Sequence, residues 1–136
     1  MIYNFKFHKL IRDNIPNLME KDKNAKLYTR KLSHEECIKA LKNKLLEEAS
    51  EVIESQNKSE LISELGDVLD IIDKIIELEN INIKDMISQR QEKNIRNGSF
   101  NDGIFAEYLE CNEQFKDLQY YKKDPQKYKC TLINKL

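Results

Sequence analysis

Residues that break regular structure are scarce in this chain. Its 136 residues include only 3 glycines and 2 prolines, which argues against a many-turned β-sandwich and for long helices. Tryptophan is absent, and the 3 cysteines, Cys37, Cys111 and Cys130, are odd in number and widely spaced. They fit neither a disulfide framework nor a paired-cysteine zinc site. No apolar run is long enough to span a bilayer, and no apolar core follows the early charges as it would in a secretory signal. The expected location is the cytoplasm. Charge of one sign is also lacking: 23 basic against 24 acidic residues leave a formal charge of −1. No global field therefore draws the chain to nucleic acid or to an anionic membrane.

Hydrophobic residues make up 40% and charged residues 35%, as in one small domain with a modest core and a dense charged surface. Ser33 and Glu36 form a capping-box pattern. Behind it Ile38, Leu41, Leu45, Ala49 and Val52 recur at spacings of three and four, which predicts an amphipathic helix to about Ser55. Gln56 to Lys58 reads as a turn, with Ser59 as the cap of a second helix. That helix carries Leu61, Leu65, Val68, Leu69, Ile72, Ile75 and Ile76 and runs to about Asn80. Asn82 reads as the cap of a third, from Ile83 to about Arg96, which Asn97, Gly98 and Ser99 break. Weaker patterns suggest a short helix over Lys9 to Met19 interrupted near Pro16, an extended piece over Lys26 to Leu32, and a helical stretch from Ile104. The predicted fold is all-α, an antiparallel helical bundle whose four-helix core is completed by oligomerisation. A domain is expected over residues 1–110, with 111–136 as an appendage.

Two acid pairs stand out. Glu48 and Glu51 on the first long helix, and Glu64 and Asp67 on the second, are each spaced i, i+3, one turn apart on one face. At about 100° per residue, Glu48 falls roughly 80° and Glu51 roughly 140° to one side of the apolar stripe. Glu64 and Asp67 fall at about the same offsets. Equal offsets become facing flanks when two helices run antiparallel, so the four carboxylates can meet over a shared core. Unit charges 4 Å apart repel by about 1 kcal/mol in water and about 4 at an effective dielectric of 20. Either these acids stay apart as solvated faces or a cation neutralises them. His8 and His34 lie outside the cluster, and all-oxygen ligands favour Mg²⁺, or Mn²⁺, over zinc. Glu47 lies roughly opposite the stripe and reads as an outer or exposed acid; Asp70 and Asp73 read as structural.

The run Glu47-Glu48-x-x-Glu51 followed by Glu64-x-x-Asp67 resembles the EExxE…ExxD signature of the MazG-like nucleoside triphosphate pyrophosphohydrolases. That all-α superfamily includes phosphoribosyl-ATP pyrophosphohydrolase. The stretch from Phe7 to Pro16 is similar to the YNKLVRDKIP segment of its phosphoribosyl-ATP-pyrophosphohydrolase-like branch. The stretch from Lys93 to Phe100 is similar to that branch's basic, glycine-containing segment. The likeness spans about residues 3 to 108, with His8 where the family has Asn and Asn97 where it has Arg.

This resemblance implies Mg²⁺-dependent hydrolysis of a nucleoside triphosphate between the α and β phosphates, releasing a monophosphate and pyrophosphate. It implies Glu48, Glu51, Glu64 and Asp67 as ligands, and Glu47 or Glu51 as the group that activates water. Lys93 and Arg96, with the backbone of Gly98 and Ser99, would hold phosphate; the same residues also suit a plain helix C-terminus. Lys9 and Arg12 would either reach phosphate or pair with acids on the bundle. A homodimer or homotetramer is expected, since the aliphatic faces exceed what one small bundle covers. The alternatives are a noncatalytic helical module that binds metal or nucleotide and docks a partner, and a purely structural bundle.

Overall fold

A computed structural model describes residues 1–133. Five helices follow one another: α1 (Ile15–Met19), α2 (His34–Glu54), α3 (Lys58–Leu78), α4 (Ile83–Asn97) and α5 (Leu118–Lys122). No strand occurs among the described residues, so the chain is all-α as predicted. Among the described residues no helix is long and apolar enough to cross a membrane. The chain divides into two compact units, Met1–Arg96 and the segment from Asn97 onward.

Local chemistry explains the boundaries of the long helices. Ser33 Oγ accepts from Glu36 N–H, and the Glu36 carboxylate accepts from Ser33 N–H, completing the capping box that starts α2. Asn57, not Ser59, caps α3: its side chain accepts from Glu60 N–H at 2.9 Å. Glu60 in turn accepts from Gln56 N–H. Ser59 lies inside the first turn, where its hydroxyl faces no orphan donor. At the far end Asn80 takes a left-handed φ of 50°. Asn80 N–H then reaches Glu77 O and Ile81 N–H reaches Ile76 O, a Schellman closure with Asn in the glycine position. Asn82 opens α4 as expected, accepting from Lys84 N–H.

The weaker sequence expectations fared differently. Residues 9 to 14 are not helical; α1 starts only at Ile15, because proline suits the first turn of a helix and disfavours helix before it. Residues 26 to 32 form no strand, having no second strand to pair with. From Ile104 the chain is irregular, with Ile104 and Phe105 exposed and thus no partner surface to stabilise an amphipathic helix. Order appears instead where no period was legible, around α5. There Phe115, Tyr120, Tyr121 and Tyr128 stack and abut edge to face, with ring centroids 5.0–6.3 Å apart.

Extensive helix packing among the described residues joins α2 to α3, an antiparallel hairpin across the short link at residues 55–57. Leu41 and Ile71 are its buried apolar side chains. Half-buried Leu45, Val52, Leu61, Val68 and Ile75 extend the same contact line. The apolar stripes are wider than this contact. Leu46 and Ile53 on α2, and Ile62, Leu65 and Leu69 on α3, remain exposed, Leu69 at 60% and Ile53 at 84%.

The cap assignment is directly testable. Asn57→Ala should destabilise the domain by about 1 kcal/mol, whereas Ser59→Ala should be nearly neutral. Chemical denaturation midpoints of the two variants decide the matter; equal losses would return the cap to Ser59.

Candidate metal centre

Carboxylates lie on the contact line of the hairpin, not merely beside it. Helical stepping from Leu41 and Leu45 leads to Glu48, and from Leu61 to Glu64. Glu48 is only 5% exposed and Glu64 is half-buried. Both acids fall about 80° off a stripe centred on Leu45, Ala49 and Val52 or on Leu61, Leu65 and Ile72, but the α2–α3 contact is centred further towards the acids, near Leu41 and Ile71. The whole apolar width contains two faces, the α2–α3 contact with its acids on one side and the exposed strip of Leu46, Ile53, Ile62, Leu65 and Leu69 on the other.

Glu48, Glu51 and Glu64 each place one carboxylate oxygen so that the three lie within 4.8 Å of one another. Glu48 Oε2 and Glu64 Oε2 are buried with no hydrogen-bond partner. Two orphaned anionic oxygens at one point carry a heavy desolvation cost unless a cation or proton joins them. Burial first, then the hydrogen bond and charge of Glu51, hold the Glu48 carboxyl above the usual carboxylate range, while Lys44 pulls it down. Lys44 Nζ lies 3.4 Å from Glu48 Oε1 and from Glu47 Oε1, too little charge for so many acids. The donors are all oxygen and partly desolvated, which suits a hard divalent ion such as Mg²⁺ or Mn²⁺. On these grounds Glu48, Glu51 and Glu64 fit such an ion.

Asp67 is placed differently. Its Oδ1 accepts from Arg12 Nη2 at 2.6 Å, and the same nitrogen donates to Asp70 Oδ2 at 2.9 Å. Asp67 is therefore not part of the three-carboxylate group. Asp70, taken from sequence as structural, shares the Arg12 guanidinium with Asp67. Glu47 is half-buried, not exposed on the back of α2. It accepts from Lys9 Nζ at 2.9 Å and from Lys44 Nζ at 3.4 Å, and the Lys9 hydrogen bond holds its carboxyl below the usual range.

Lys44 was absent from the sequence reading, although its positions i−3 and i−4 to Glu47 and Glu48 are the signal for such pairs. Lys93 and Arg96 sit on the outer half of α4, where they line a shallow groove with Met86, Gln89, Arg90 and Glu92. Among the described residues they form no ion pair with the acids of the hairpin. Gly98, at φ 77°, follows the last turn of α4, and with Ser99 it belongs to the second unit.

A raised carboxyl pKa has a definite sign in stability. Glu48 binds its proton more readily folded than unfolded, so its contribution is full below its unfolded value, 4.5, and is lost as pH rises through the folded value. Glu47 acts in the opposite window: its stabilisation is present above 4.5 and lost as pH falls through its depressed value. In chelator, the melting temperature should therefore rise as pH falls through the raised value of Glu48 towards 4.5. Glu48→Gln should flatten that slope and raise the pH 7 melting temperature by roughly 3–6 °C. Mg²⁺ should raise the wild-type melting temperature and leave that of Glu48→Gln nearly unchanged. A wild-type curve that only falls on acidification would contradict this account of Glu48.

No curated protein and no solved structure matches the chain significantly. The family model for phosphoribosyl-ATP pyrophosphohydrolase, however, matches residues 5–94, a span that contains the N-terminal segment with Lys9 and Arg12, both acid-bearing helices, and α4 as far as Asn94. The chain belongs to the phosphoribosyl-ATP pyrophosphohydrolase family.

Proposed function

We propose that the protein is a Mg²⁺-dependent nucleoside triphosphate pyrophosphohydrolase, with Mn²⁺ as an alternative ion, that cleaves between the α and β phosphates. The products are a nucleoside monophosphate and pyrophosphate, and the role is house-cleaning of the nucleotide pool in the cytoplasm. Family membership supports pyrophosphohydrolase chemistry on a nucleotide. The observation that carries the reading is the convergence of Glu48, Glu51 and Glu64 with two orphaned oxygens. A bound divalent ion supplies charge neutralisation on the phosphates and orientation of water. Glu48, Glu51 and Glu64 hold that ion, joined by Asp67 on the neighbouring turn of α3.

Glu47 and Glu51 are the two candidates for activating water. Cations would hold both in the anionic form, Glu47 through Lys9 and Lys44 and Glu51 through the ion it would ligate. Lys93 and Arg96 of α4 have the charge to take phosphate oxygens, and the backbone of Gly98 and Ser99 offers N–H donors; Lys9 and Arg12 stand at the acid face.

Self-association into a homodimer or homotetramer completes the fold in this reading. The chain exposes 13544 Å², whereas two separate compact units of these lengths would together expose about 9,000 Å². The exposed strip of Leu46, Ile53, Ile62, Leu65 and Leu69 lies away from the acids, so a second hairpin can cover it and leave the centre open. Such pairing of two hairpins gives a four-helix core.

Two measurements test these statements. With Mg²⁺, a panel of nucleoside triphosphates should yield pyrophosphate, and Glu51→Gln should lower kcat at least a hundredfold while the protein remains folded. Inactivity of folded wild type across the panel would favour a noncatalytic module. Separately, Leu69→Glu should shift the sedimentation of the protein towards a monomer; an unchanged wild-type monomer would refute the paired hairpins.

A further inference from the structure

The segment ahead of α1 brings two cations to the acid face. Leu10 and Ile11 there, and Ile15 at the start of α1, are each half-buried, while Lys9 and Arg12 reach the carboxylates. Lys9 meets Glu47 at 2.9 Å; Arg12 meets Asp67 at 2.6 Å and Asp70 at 2.9 Å. The Arg12 side chain is nevertheless 58% exposed. Ion pairs so open to water contribute little net stability, so their partners exchange readily. Short, specific and weakly held contacts describe a reversible connection better than a structural one.

Asp67 is the point of exchange. The Arg12 guanidinium occupies its Oδ1, and its carboxylate stands apart from the three that converge. A divalent ion held by Glu48, Glu51 and Glu64 would attract Asp67, one turn of α3 beyond Glu64, and repel the guanidinium paired with it. Six carboxylates face this region (Glu47, Glu48, Glu51, Glu64, Asp67 and Asp70), against the three cations Lys9, Arg12 and Lys44. Adding two positive charges weakens the hold of those acids on Lys9 and Arg12. Triphosphate oxygens are then the better partners, since a guanidinium fork matches phosphate geometry.

We propose that residues 9–12 form a charge-exchange strap. The divalent ion takes Asp67 from Arg12, and the released Arg12, with Lys9, closes on the phosphates of the nucleotide. The strap rests on the proposed reading of the centre as a metal and nucleotide site. It makes metal loading and nucleotide binding mutually reinforcing, and by linkage the factor is the same in both directions.

The test is calorimetry on the full chain. MgCl₂ is titrated alone, and then α,β-methylene triphosphates of the four standard bases are titrated at saturating Mg²⁺. Arg12→Gln should bind Mg²⁺ roughly tenfold more tightly, since a repelling charge has gone, and should bind the analogue roughly tenfold more weakly. Arg12→Lys, which keeps the charge, should leave Mg²⁺ affinity within about threefold of wild type. Lys9→Gln should show the same pair of signs at smaller size, and it serves if Arg12→Gln does not fold. Opposite signs for metal and analogue support the strap. Weaker binding of both, with a lowered melting temperature, would make Arg12 a structural residue and overturn it, as would unchanged Mg²⁺ affinity. Absence of Mg²⁺ binding by folded wild type would overturn the reading of the centre itself, and the strap with it.

Discussion

Negative charge buried at the middle of a helix contact is the constraint on which this structure turns. The α2–α3 hairpin has few buried side chains among the described residues, and one of them is Glu48. A core position that would ordinarily take leucine instead holds a carboxylate, faced by Glu64 from the opposite helix. The cost of desolvating such groups without partners is large against a net stability of about 5–15 kcal/mol for a domain. The nearby cations moderate it: Lys44 leans over from the preceding turn, and Lys9 and Arg12 draw in the outer acids, while Glu51 adds to the charge. The remaining imbalance is what suits the centre to a divalent ion.

Most of the helical frame was legible in the residues. Capping box, apolar period and acid spacing each depend on neighbours a few positions away, so local sequence encodes them. The cap of α3 was misread because Ser59 and Asn57 are both good cap residues, and only the position of the last extended residue distinguishes them. The aromatic cluster around Phe115 and Tyr128 was not legible at all, because contacts among spaced aromatic rings leave no period.

The acid cluster was legible in three of its members, with Asp67 set apart on Arg12. Glu48, Glu51 and Glu64 come together as the spacing suggested, yet Glu48 and Glu64 sit on the contact line and not on its flank. A hydrophobic average cannot separate two neighbouring interfaces on one helix, and α2 and α3 each present two. The partnership of Asp67 with Arg12 lay beyond reach for a different reason: 55 residues separate them, and residues 20–33, between α1 and α2, have no periodic structure to fix the path.

The two faces of the hairpin also explain how one pair of helices can serve both assembly and chemistry. In an antiparallel pair, residues offset to the same side on each helix fall on a common face. The acids share one such offset, and Leu46, Ile53, Ile62, Leu65 and Leu69 share the opposite one. Charge and apolar surface are thereby segregated by phase alone. Covering the apolar face strengthens packing behind Glu48 and Glu64, and that packing keeps their oxygens dry. Dry oxygens attract a cation more strongly than solvated ones. Burial behind the centre and charge within it are therefore coupled, although no residue of the exposed strip belongs to the acid group.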